Sequence, residues 1–540
     1  MSKLFEQLLE KRGLDQVFLH PKYESLSDPF VLPDLEKAVN RVAEATKNKE
    51  KILIYGDYDV DGVTASTVMA DALTLAGVDP QNIDIMLPDR FADGYGMSPR
   101  LVAHAKKNGT KLVVTVDCGS RNHAIIDKLN VLKIDTIVTD HHECGDTLPE
   151  AVAIVNPKRS DFIDDKFGLK DLAGVGVAFK LVQGLVQKGL VASGQEKWLL
   201  DLVLIGTICD NMLLTGENRI LGYYGVKVLE KTRRAGLKEL ITRARVKNLT
   251  AESIGFQIGP RLNAAGRLKT ADLALNLLRA KSPTDVATLA EQLEELNKKR
   301  KTEQQSALKE ISTHGTSNDP VIIETGTWHE GILGIIAGRL VEEYRRPTFV
   351  LAETETGVYK GSGRSFGDFS LAEALAFTKD VIISGGGHAG AAGVRVDGKK
   401  LYEFREKINE YYRSLHLADQ ERYLKEHADL DLTDLSDLSL QFLDELKLLE
   451  PFGPGNEEPI FRLLDIDIIN VSRMGSEQNH LRLDIRDKNS NNFKLIAFYA
   501  PKQWLTLTTE DKIIPLVKLI ENDFNGVKSI EGRIVDIDVL

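Results

Sequence analysis

The chain is poor in the residues on which disulfide-stabilised and membrane-embedded proteins depend. Its 540 residues include three cysteines, which cannot all pair and show no CxxC spacing, so a disulfide scaffold and a zinc ribbon are both disfavoured. No stretch approaches the ~18 consecutive apolar residues of a membrane span. The opening segment MSKLFEQLLEKRGL also lacks an apolar core of signal-peptide length. We therefore expect a cytoplasmic protein with no membrane contact.

An excess of positive charge is also missing. The formal net charge is −11, from 69 lysines and arginines against 80 aspartates and glutamates. A polyanion would be repelled unless the basic groups were gathered in one place, so net charge neither indicates nor excludes nucleic-acid binding. With 42% hydrophobic and 28% charged residues, the chain can bury real cores. Its length predicts about three or four units.

Short apolar runs in the first half end at acidic or histidine-rich clusters. KILIYG at 51–56 precedes DYDVDG, KLVVTVD at 111–117 precedes CGS, and DTIVTD at 135–140 precedes HHE. Each run predicts a strand, and the segments between them have helical patterns, which together predict a parallel α/β sheet. Ligands of such sheets bind beyond the carboxyl ends of the strands. We therefore expect the three clusters at one edge of the sheet.

The rest of the chain predicts further units. Between 171 and 281 the pattern is mostly helical, and IGPRLNAAGRL is interpreted as a glycine-punctuated loop between helices. A charged segment without breakers then predicts one long exposed helix, after which strand signals resume around the helical stretch GILGIIAGRLVEEY. Near the end, short strands alternate with turn residues, as in a small β-barrel. The predicted units are an N-terminal segment at 1–48, a first α/β domain at 49–285, a connecting helix at 286–314, a second α/β domain at 315–412 and a barrel at 425–540.

The first acidic cluster has two possible interpretations. Asp57, Asp59 and Asp61 alternate with other residues, so in an extended conformation their carboxylates would share one side and repel one another. A divalent cation would relieve that repulsion. An Asp-rich turn solvated by water would need no cation. This motif alone does not separate the two.

The other strand ends favour the metal interpretation. Asp117 ends one predicted strand, and the run 140–143, Asp-His-His-Glu, ends another. The alternative for the histidine pair is two ordinary surface or core histidines. Mixed ligation in which carboxylates dominate suits manganese or magnesium. Asp210 follows the apolar run LIGTIC and either completes the cluster or caps a helix. Five or more ligands suffice for two metal ions, a known arrangement for hydrolysis at phosphorus.

These motifs carry a family resemblance. GDYDVDG, PDRFADGYG, TVDCGS and TDHHE, in that order, resemble the motifs of the DHH phosphoesterase superfamily. Further along, IGPRLNAAGRL, TWHEGILGIIAGRL, GSGRS, GGGHAGAAG and LEPFGPGNEEPIF resemble the RecJ family of single-strand-specific exonucleases. The resemblance extends from about residue 50 to the end. It implies an α/β fold with a parallel-sheet DHH domain, a long helix, a DHH-associated α/β domain with a GGHA motif, and a C-terminal OB-type barrel that binds nucleic acid.

The resemblance also implies the metal ligands and the groups around them. The implied ligands of two Mn²⁺ or Mg²⁺ ions are Asp59, Asp61, Asp117, His141 and Asp210, with Asp57 as a ligand or close support. His141 and His142 would orient ligands and stabilise charge on the phosphoryl oxygens. The chain departs from the family pattern at Tyr55, where most DHH proteins have histidine, at Ser120-Arg121-Asn122, and at Asn211-Met212.

A further set of residues is implied to hold substrate phosphates, in glycine-rich loops where a backbone can approach an anion. The set is Arg90, Arg261, Asn263, Arg267, Ser362, Arg364 and His388. Arg90, Ser362 and Arg364 are expected at the 5′-terminal phosphate, and Arg267 and His388 beside the scissile phosphate, which makes the expected catalytic groups His141, His142, Arg267 and His388. Surface ion pairs are the alternative for the arginines, and a plain tight turn is the alternative for GGGHAGAAG.

The implied function is removal of 5′-mononucleotides from single-stranded DNA in the 5′ to 3′ direction. The implied setting is recombination and repair in a bacterial cytosol or nucleoid, as a monomer, beside single-strand-binding protein and a RecQ-type helicase. One alternative is another phosphoesterase of the superfamily, acting on short RNA, cyclic dinucleotides or pyrophosphate. A second is a catalytically dead scaffold that only binds nucleic acid or replication proteins. The metal carboxylates are present, and such a scaffold would have lost them.

Overall fold

The fold is described by a computed structural model covering residues 1–94, 96–163, 165–353, 357–417, 427–524 and 526–540. It divides into two units: Met1–Gly259 with Leu275–Val286 and Glu426–Leu540, and Pro260–Ala274 with Ala287–Lys425. Among the described helices, none combines the length and the apolar character that crossing a membrane requires.

The first sheet has five parallel strands in the order β2-β1-β3-β4-β5. The three apolar runs predicted as strands are β1, β3 and β4, so this part of the sequence-based prediction is confirmed. All positions of β1 and β3 are buried, as expected for strands covered on both faces. The strands are β1 (Ile52–Tyr55), β2 (Ile83–Met86), β3 (Leu112–Val116), β4 (Asp135–Thr139) and β5 (Ala153–Val155).

Eleven helices up to residue 253 are described in this first unit. They are α1 (Lys3–Arg12), α2 (Gln16–Leu19), α3 (Leu35–Lys47), α4 (Val60–Leu75), α5 (Pro99–Asn108), α6 (His123–Val131), α7 (Gly174–Gln187), α8 (Leu200–Cys209), α9 (Gly216–Leu229), α10 (Ala235–Arg243) and α11 (Ala251–Ser253). A π-helical turn, Ile254–Ile258, follows α11.

The extended conformation expected for the first acidic cluster is wrong. Asp59 is the N-cap of α4, and its carboxylate accepts a hydrogen bond from the Gly62 amide at 3.1 Å. Asp61 therefore lies in the first helical turn, not on a continued strand. An aspartate before a helix satisfies an amide that would otherwise lack a partner, and this outweighs the extended alternative.

The second unit contains a mixed five-stranded sheet in the order β6-β7-β8-β10-β9. Its core contains Phe349, Phe369 and Phe404. The strands are β6 (Ile322–Gly326), β7 (Thr348–Glu353), β8 (Val358–Arg364), β9 (Ser384–Gly387) and β10 (Ala391–Asp397). The helices between residues 259 and 414 are α12 (Gly259–Leu268), α13 (Asp272–Arg279), the long α14 (Pro283–His314), α15 (Leu333–Tyr344), α16 (Leu371–Phe377) and α17 (Leu401–Ser414). The first residues of α12 and α14 and most of α13 belong to the first unit.

The stretch IGPRLNAAGRL is not the loop that its glycines indicated. Residues 259–268 form α12, which continues without a break from the π-helical turn that precedes Pro260. Ala264 and Ala265 are fully buried, so packing compensates for the low helix propensity of the two glycines.

The C-terminal part of the first unit is a seven-stranded sheet in the order β11-β12-β16-β17-β15-β14-β13. The strands are β11 (Leu430–Leu432), β12 (Phe461–Leu463), β13 (Ile466–Met474), β14 (His480–Asp487), β15 (Asn492–Ala497), β16 (Ile513–Phe524) and β17 (Val527–Val539), with helix α18 (Leu440–Leu446) between β11 and β12. Its apolar core includes Leu4, Phe5, Leu8 and Leu9 of α1. The first helix of the chain therefore packs into the core of the last sheet.

Polar contacts fix the N-terminal segment in this position. The Arg12 guanidinium pairs with both carboxylate oxygens of Asp429, at 2.6 and 2.9 Å. The Arg219 side chain of α9 is buried and donates hydrogen bonds to the carbonyl oxygens of Phe18, Leu448, Leu449 and Glu450. One guanidinium thus links the N-terminal segment, α9 and the segment leading to β12.

Candidate metal centre

Carboxylates and a histidine from four separate segments meet beyond the carboxyl ends of β1, β3 and β4. His141 Nε2 lies 3.1 Å from Asp117 Oδ1, 3.6 Å from Asp210 Oδ2 and 3.8 Å from Asp61 Oδ2. Asp117 also forms groups with potential metal-ligand atoms within 4.8 Å of one another, one with Asp57 and Asp59 and one with both histidines. All the residues predicted as metal ligands are thus brought together, and Asp210 follows the C-terminal end of α8.

Burial makes this group of like charges unfavourable by itself. Asp57, Asp61 and Asp117 are each at most 4% exposed. Burial and the Asp59 charge raise the pKa of Asp61 to about 7, while burial and the Asp61 charge raise the pKa of Asp210 to about 8. Both carboxyls would take up a proton near neutral pH unless cations were bound.

His141, which faces Asp61, Asp117 and Asp210, is held neutral. Burial lowers the pKa of His141 to about 3. Its imidazole therefore keeps a nitrogen lone pair at neutral pH, the form in which histidine binds metals.

Backbone amides fix the position of Asp61. Its carboxylate accepts hydrogen bonds from Gly174 at 2.6 Å and Val175 at 2.9 Å, at the N-terminus of α7, where the helix dipole favours negative charge. A Cβ added to Gly174 would lie 2.5 Å from the Cβ of Asp117, so a side chain does not fit there. Asp117 itself has a φ of +62°, a conformation that is uncommon outside glycine.

Asp140 supports the histidine pair and was not assigned a role from the sequence. One carboxylate oxygen accepts from the amides of His141 and His142 and contacts His142 Nδ1 at 2.9 Å. The other accepts from the Ser120 amide at 2.9 Å. Burial raises the pKa of Asp140, but the hydrogen bond from His142 outweighs it and holds that pKa below its usual range. The position of Asp140, directly before two histidines at the end of a strand, could have indicated this supporting role.

Asn156 is a second supporting residue that sequence reasoning missed. Its side-chain amide donates to Ser120 Oγ at 2.8 Å and to the His142 carbonyl at 2.9 Å. No local pattern marks an asparagine that lies 14 residues beyond the histidine it contacts.

The departures from the family pattern are accommodated locally. Ser120 supports Asp140 and accepts the Asn156 hydrogen bond. Tyr55 is buried and donates its hydroxyl to the Gly96 carbonyl at 3.1 Å. Asn211 has a φ of +57°, which asparagine tolerates better than most residues.

The residues predicted to hold phosphate have different surroundings. In the first unit, the Arg90 guanidinium lies over the Tyr58 ring, 5.0 Å from its centroid. In the second unit, Arg261 is buried and pairs with Glu294 at 2.7 Å. Arg267 donates to the Gly331 carbonyl at 3.2 Å, and Asn263 is half-buried on the same helix. The expectation that these second-unit residues lie in a loop is wrong, because α12 carries all three.

Ser362 and Arg364 lie together on strand β8, not in a loop. Arg364 Nη1 donates to Ser362 Oγ at 3.1 Å. A Cβ added to Gly334, in the first turn of α15, would lie 2.9 Å from Arg364 Nη2 and 3.0 Å from Ser362 Oγ. A guanidinium, a hydroxyl and a helix N-terminus therefore converge, which is a combination suited to an anion.

His388 occupies an exposed hairpin between β9 and β10. Its amide donates to the Ala391 carbonyl at 2.8 Å, and Gly387, at a φ of +151°, has no room for a Cβ. The backbone here is a tight turn, with the imidazole open to solvent.

Comparison with known protein families accounts for all three sheets. Residues 51–207 match the N-terminal domain of the DHH family, 318–414 match the DHHA1 domain, and 429–536 match the RecJ OB domain. The single-stranded-DNA-specific exonuclease RecJ of Bacillus subtilis is 35% identical over 554 residues, covering all of this chain and 68% of that protein. This chain belongs to the RecJ family. RecJ of Escherichia coli is 36% identical over 403 residues, which cover 70% of this chain and 69% of that protein.

Solved RecJ structures share the fold. RecJ of Thermus thermophilus in complex with Mn²⁺ superposes with a TM-score of 0.83 at 29% identity, over 99% of this chain and 75% of that one. The same protein in complex with Mg²⁺ gives a TM-score of 0.77. The predicted α/β architecture with an OB-type barrel is thereby confirmed.

Proposed function

We propose that this chain is a metal-dependent exonuclease that degrades single-stranded DNA from the 5′ end and releases 5′-mononucleotides. The observation that carries the proposal is the buried cluster of carboxylates around His141, in a chain of the RecJ family. The RecJ relatives are named as single-stranded-DNA-specific exonucleases, and the OB domain match supports binding of single-stranded DNA.

The donor set fits divalent cations. Asp61 and Asp210 both face the neutral His141, at 3.8 and 3.6 Å, and Asp57 Oδ1 is buried without a hydrogen-bond partner in the described part of the chain. Oxygen-rich ligation with one or two imidazoles suits Mn²⁺ and Mg²⁺, the ions bound in the Thermus RecJ structures. We therefore assign two such ions as cofactors, with Asp57, Asp59, Asp61, Asp117, His141 and Asp210 as ligands.

Two divalent cations there would supply Lewis acidity, which lowers the pKa of a water molecule and stabilises charge on the attacking and leaving oxygens. The chain's own residues would fix the geometry. Asp61 is locked by two amides of α7, and neutral His141 has a lone pair to donate. Burial lowers the pKa of His142, but the hydrogen bond with Asp140 outweighs it and raises that pKa. His142, oriented by Asp140, would then stabilise charge on a phosphoryl oxygen.

The phosphate-binding residues would set the position of the strand. Arg364 and Ser362, beside the N-terminus of α15, would hold the 5′-terminal phosphate together with Arg90. Arg267 and His388 would contact the scissile phosphate. A grip on the terminal phosphate would explain release of one nucleotide at a time.

The cellular setting is also a proposal. A 5′-directed nuclease needs an exposed single strand, which a RecQ-type helicase would generate and single-strand-binding protein would cover. We propose both as partners in recombination and repair, with the chain acting as a monomer.

The test is digestion of a single-stranded DNA labelled at its 5′ end, with manganese, beside the 3′-labelled strand and the duplex. Immediate release of labelled mononucleotide only from the 5′-labelled single strand is expected. Asp117→Ala should abolish this cleavage, by about 10³-fold or more, and leave strand binding largely intact, because it removes a metal ligand and no phosphate contact.

Asp127→Ala is the matched control, because Asp127 is an exposed carboxylate on α6 of the same domain. It should retain full activity. Normal turnover of Asp117→Ala would overturn the site assignment. Binding without any cleavage by the unaltered chain would favour the inactive-scaffold alternative, and cleavage confined to di- or trinucleotides would favour a short-substrate phosphoesterase.

A further inference from the structure

A cavity of about 600 Å³ lies within the first unit. Cys209 and Asn211, the neighbours of Asp210 in the chain, line one side, and Lys518 and Arg533 of strands β16 and β17 line another. The volume lies within the roughly 300–1,000 Å³ typical of ligand sites. A preformed site of ligand-binding size therefore lies between the first sheet domain and the barrel.

The walls of this cavity combine apolar and polar surface and carry an exposed aromatic ring. Met212, Leu214 and Phe452 contribute apolar surface, and Phe256 is 77% exposed. Phe256 lies on the π-helical turn, a rare conformation that occurs frequently at functional sites. An open phenyl face beside apolar walls is suited to stacking against a flat ring.

Charge decides which part of a nucleotide would fit. Four glutamates but only two cations line the cavity. Both cations are engaged, since Lys518 Nζ and Arg533 Nη2 lie 3.5 and 3.2 Å from Glu458, and Arg533 Nη1 lies 3.7 Å from Glu252. A phosphate would be repelled here, whereas carboxylates accept hydrogen bonds from the amino and imino groups of nucleobases.

Glu450, a half-buried residue in the lining of the cavity, adds a further carboxylate that can accept hydrogen bonds.

We propose that this cavity is a nucleobase subsite, in which one unpaired base of the strand stacks on Phe256 with its polar edge against the glutamates. The inference rests on the proposed function, because it takes single-stranded DNA as the substrate. A base in a duplex has that edge occupied by its partner and its faces covered by neighbours, so the subsite accepts unpaired bases only. It would add to the selectivity for single strands.

The test moves a single abasic residue along a 5′-phosphorylated oligonucleotide and measures binding by fluorescence anisotropy. The full chain carries Asp117→Asn to prevent cleavage. We expect one position at which loss of the base weakens binding by about 5- to 100-fold. Phe256→Ala should remove this position dependence and bind every oligonucleotide at the weaker level.

Two further variants test whether the effect comes from base stacking on Phe256. Phe256→Trp should preserve the position dependence and add a fluorophore whose emission is quenched when a base stacks on it. Tyr402→Ala is the control for loss of an exposed ring, because Tyr402 is 75% exposed on α17 and does not line the cavity. It should match the Asp117→Asn chain at every position.

The proposal is wrong if no position shows a penalty, or if Phe256→Ala keeps the same penalty as the chain with Phe256. Absence of quenching with Phe256→Trp in a chain that binds DNA would also overturn it. The outcome is separate from that of the proposed function. A chain with Asp117 intact that shows the positional penalty but cleaves nothing would retain the subsite and lose the exonuclease assignment.

Discussion

The carboxylates of the metal centre are held close together although their like charges repel one another. Asp61, Asp117 and Asp210 surround His141 at 3.1 to 3.8 Å, and burial removes the water that would otherwise screen them. Such a cluster costs free energy in the folded chain until cations bind. The stability of the protein should therefore report on the occupancy of the site.

Stability without metal should fall as the pH rises. The folded-state pKa values of Asp61, about 7, and Asp210, about 8, lie above the ~3.9 of an unfolded aspartate. Between these limits the folded chain binds more protons than the unfolded chain, so this contribution to stability is complete below about pH 4 and is lost as the pH passes 7 to 8. Urea unfolding in EDTA at pH 5.5 and 8.5 measures it. Mn²⁺ should reverse most of the loss at pH 8.5, and Asp210→Asn should reduce it, whereas a rise in stability over this range would contradict the electrostatic argument.

The support that Asp140 gives to the histidine pair can be measured by metal binding. Asp140→Asn retains the shape but loses the charge that holds His142, so Mn²⁺ affinity should fall by about 10- to 100-fold, as for other groups that orient metal ligands. Isothermal titration calorimetry provides the value. Asp135→Asn, at the opposite end of the same strand and paired with Arg41, should leave the affinity unchanged. Equal affinities in the two variants would rule out this role for Asp140.

At the scale of elements, the packing of helices against strand ends decides how closely the carboxylates approach. Helix α7 brings its first amides to Asp61 and places Gly174 against Asp117. Helix α4 brings Asp61 into the cluster because Asp59 starts the helix. Two helix N-termini thus position the first and second acidic motifs.

The close contact at the start of α7 predicts that alanine substitution will have opposite effects on stability at two helical glycines, Gly174 and Gly338. Gly174→Ala should lower the free energy of unfolding by about 1–3 kcal/mol, because its Cβ would lie 2.5 Å from that of Asp117. It should also reduce manganese-dependent hydrolysis. Gly338→Ala in α15, where a Cβ meets nothing within 4 Å, should raise stability by about 0.5–1 kcal/mol. Chemical denaturation of both variants checks the sign, and a neutral Gly174→Ala would contradict the packing argument.

Helices, strands and site residues could be predicted from the sequence best where the pattern involved residues that are close together in the chain. The strands β1, β3 and β4 were found because apolar runs stop at charged residues, and that also located Asp117 and His141. Helix α12 was mistaken for a loop because its glycines were weighed as breakers, without the burial of Ala264 and Ala265 that favours a helix. Asn156 and Glu294 were missed because their partners are distant in the chain.

At the scale of the first unit, one buried guanidinium connects segments about 200 residues apart. Arg219 is 2% exposed and donates to main-chain carbonyls on both sides of α9. Arg219→Met should lower the free energy of unfolding by about 3–5 kcal/mol, because it leaves several buried acceptors without donors. Urea unfolding provides the measurement. Arg339→Met, which loses only a solvent-exposed pair with Glu342, should change stability by less than about 0.5 kcal/mol, and similar losses in both variants would refute the argument.

The packing of α1 into the core of the last sheet has a consequence for biosynthesis. Leu4, Phe5, Leu8 and Leu9 are synthesised before their partners on β12 to β17, which follow more than 400 residues later. At about 5–20 residues per second, this helix remains for roughly 20 to 80 s with its apolar face uncovered. The core of the barrel includes these side chains and is not complete without them. A nascent chain of this protein therefore exposes an apolar helix face, of the kind that chaperones bind, until the barrel strands have been synthesised.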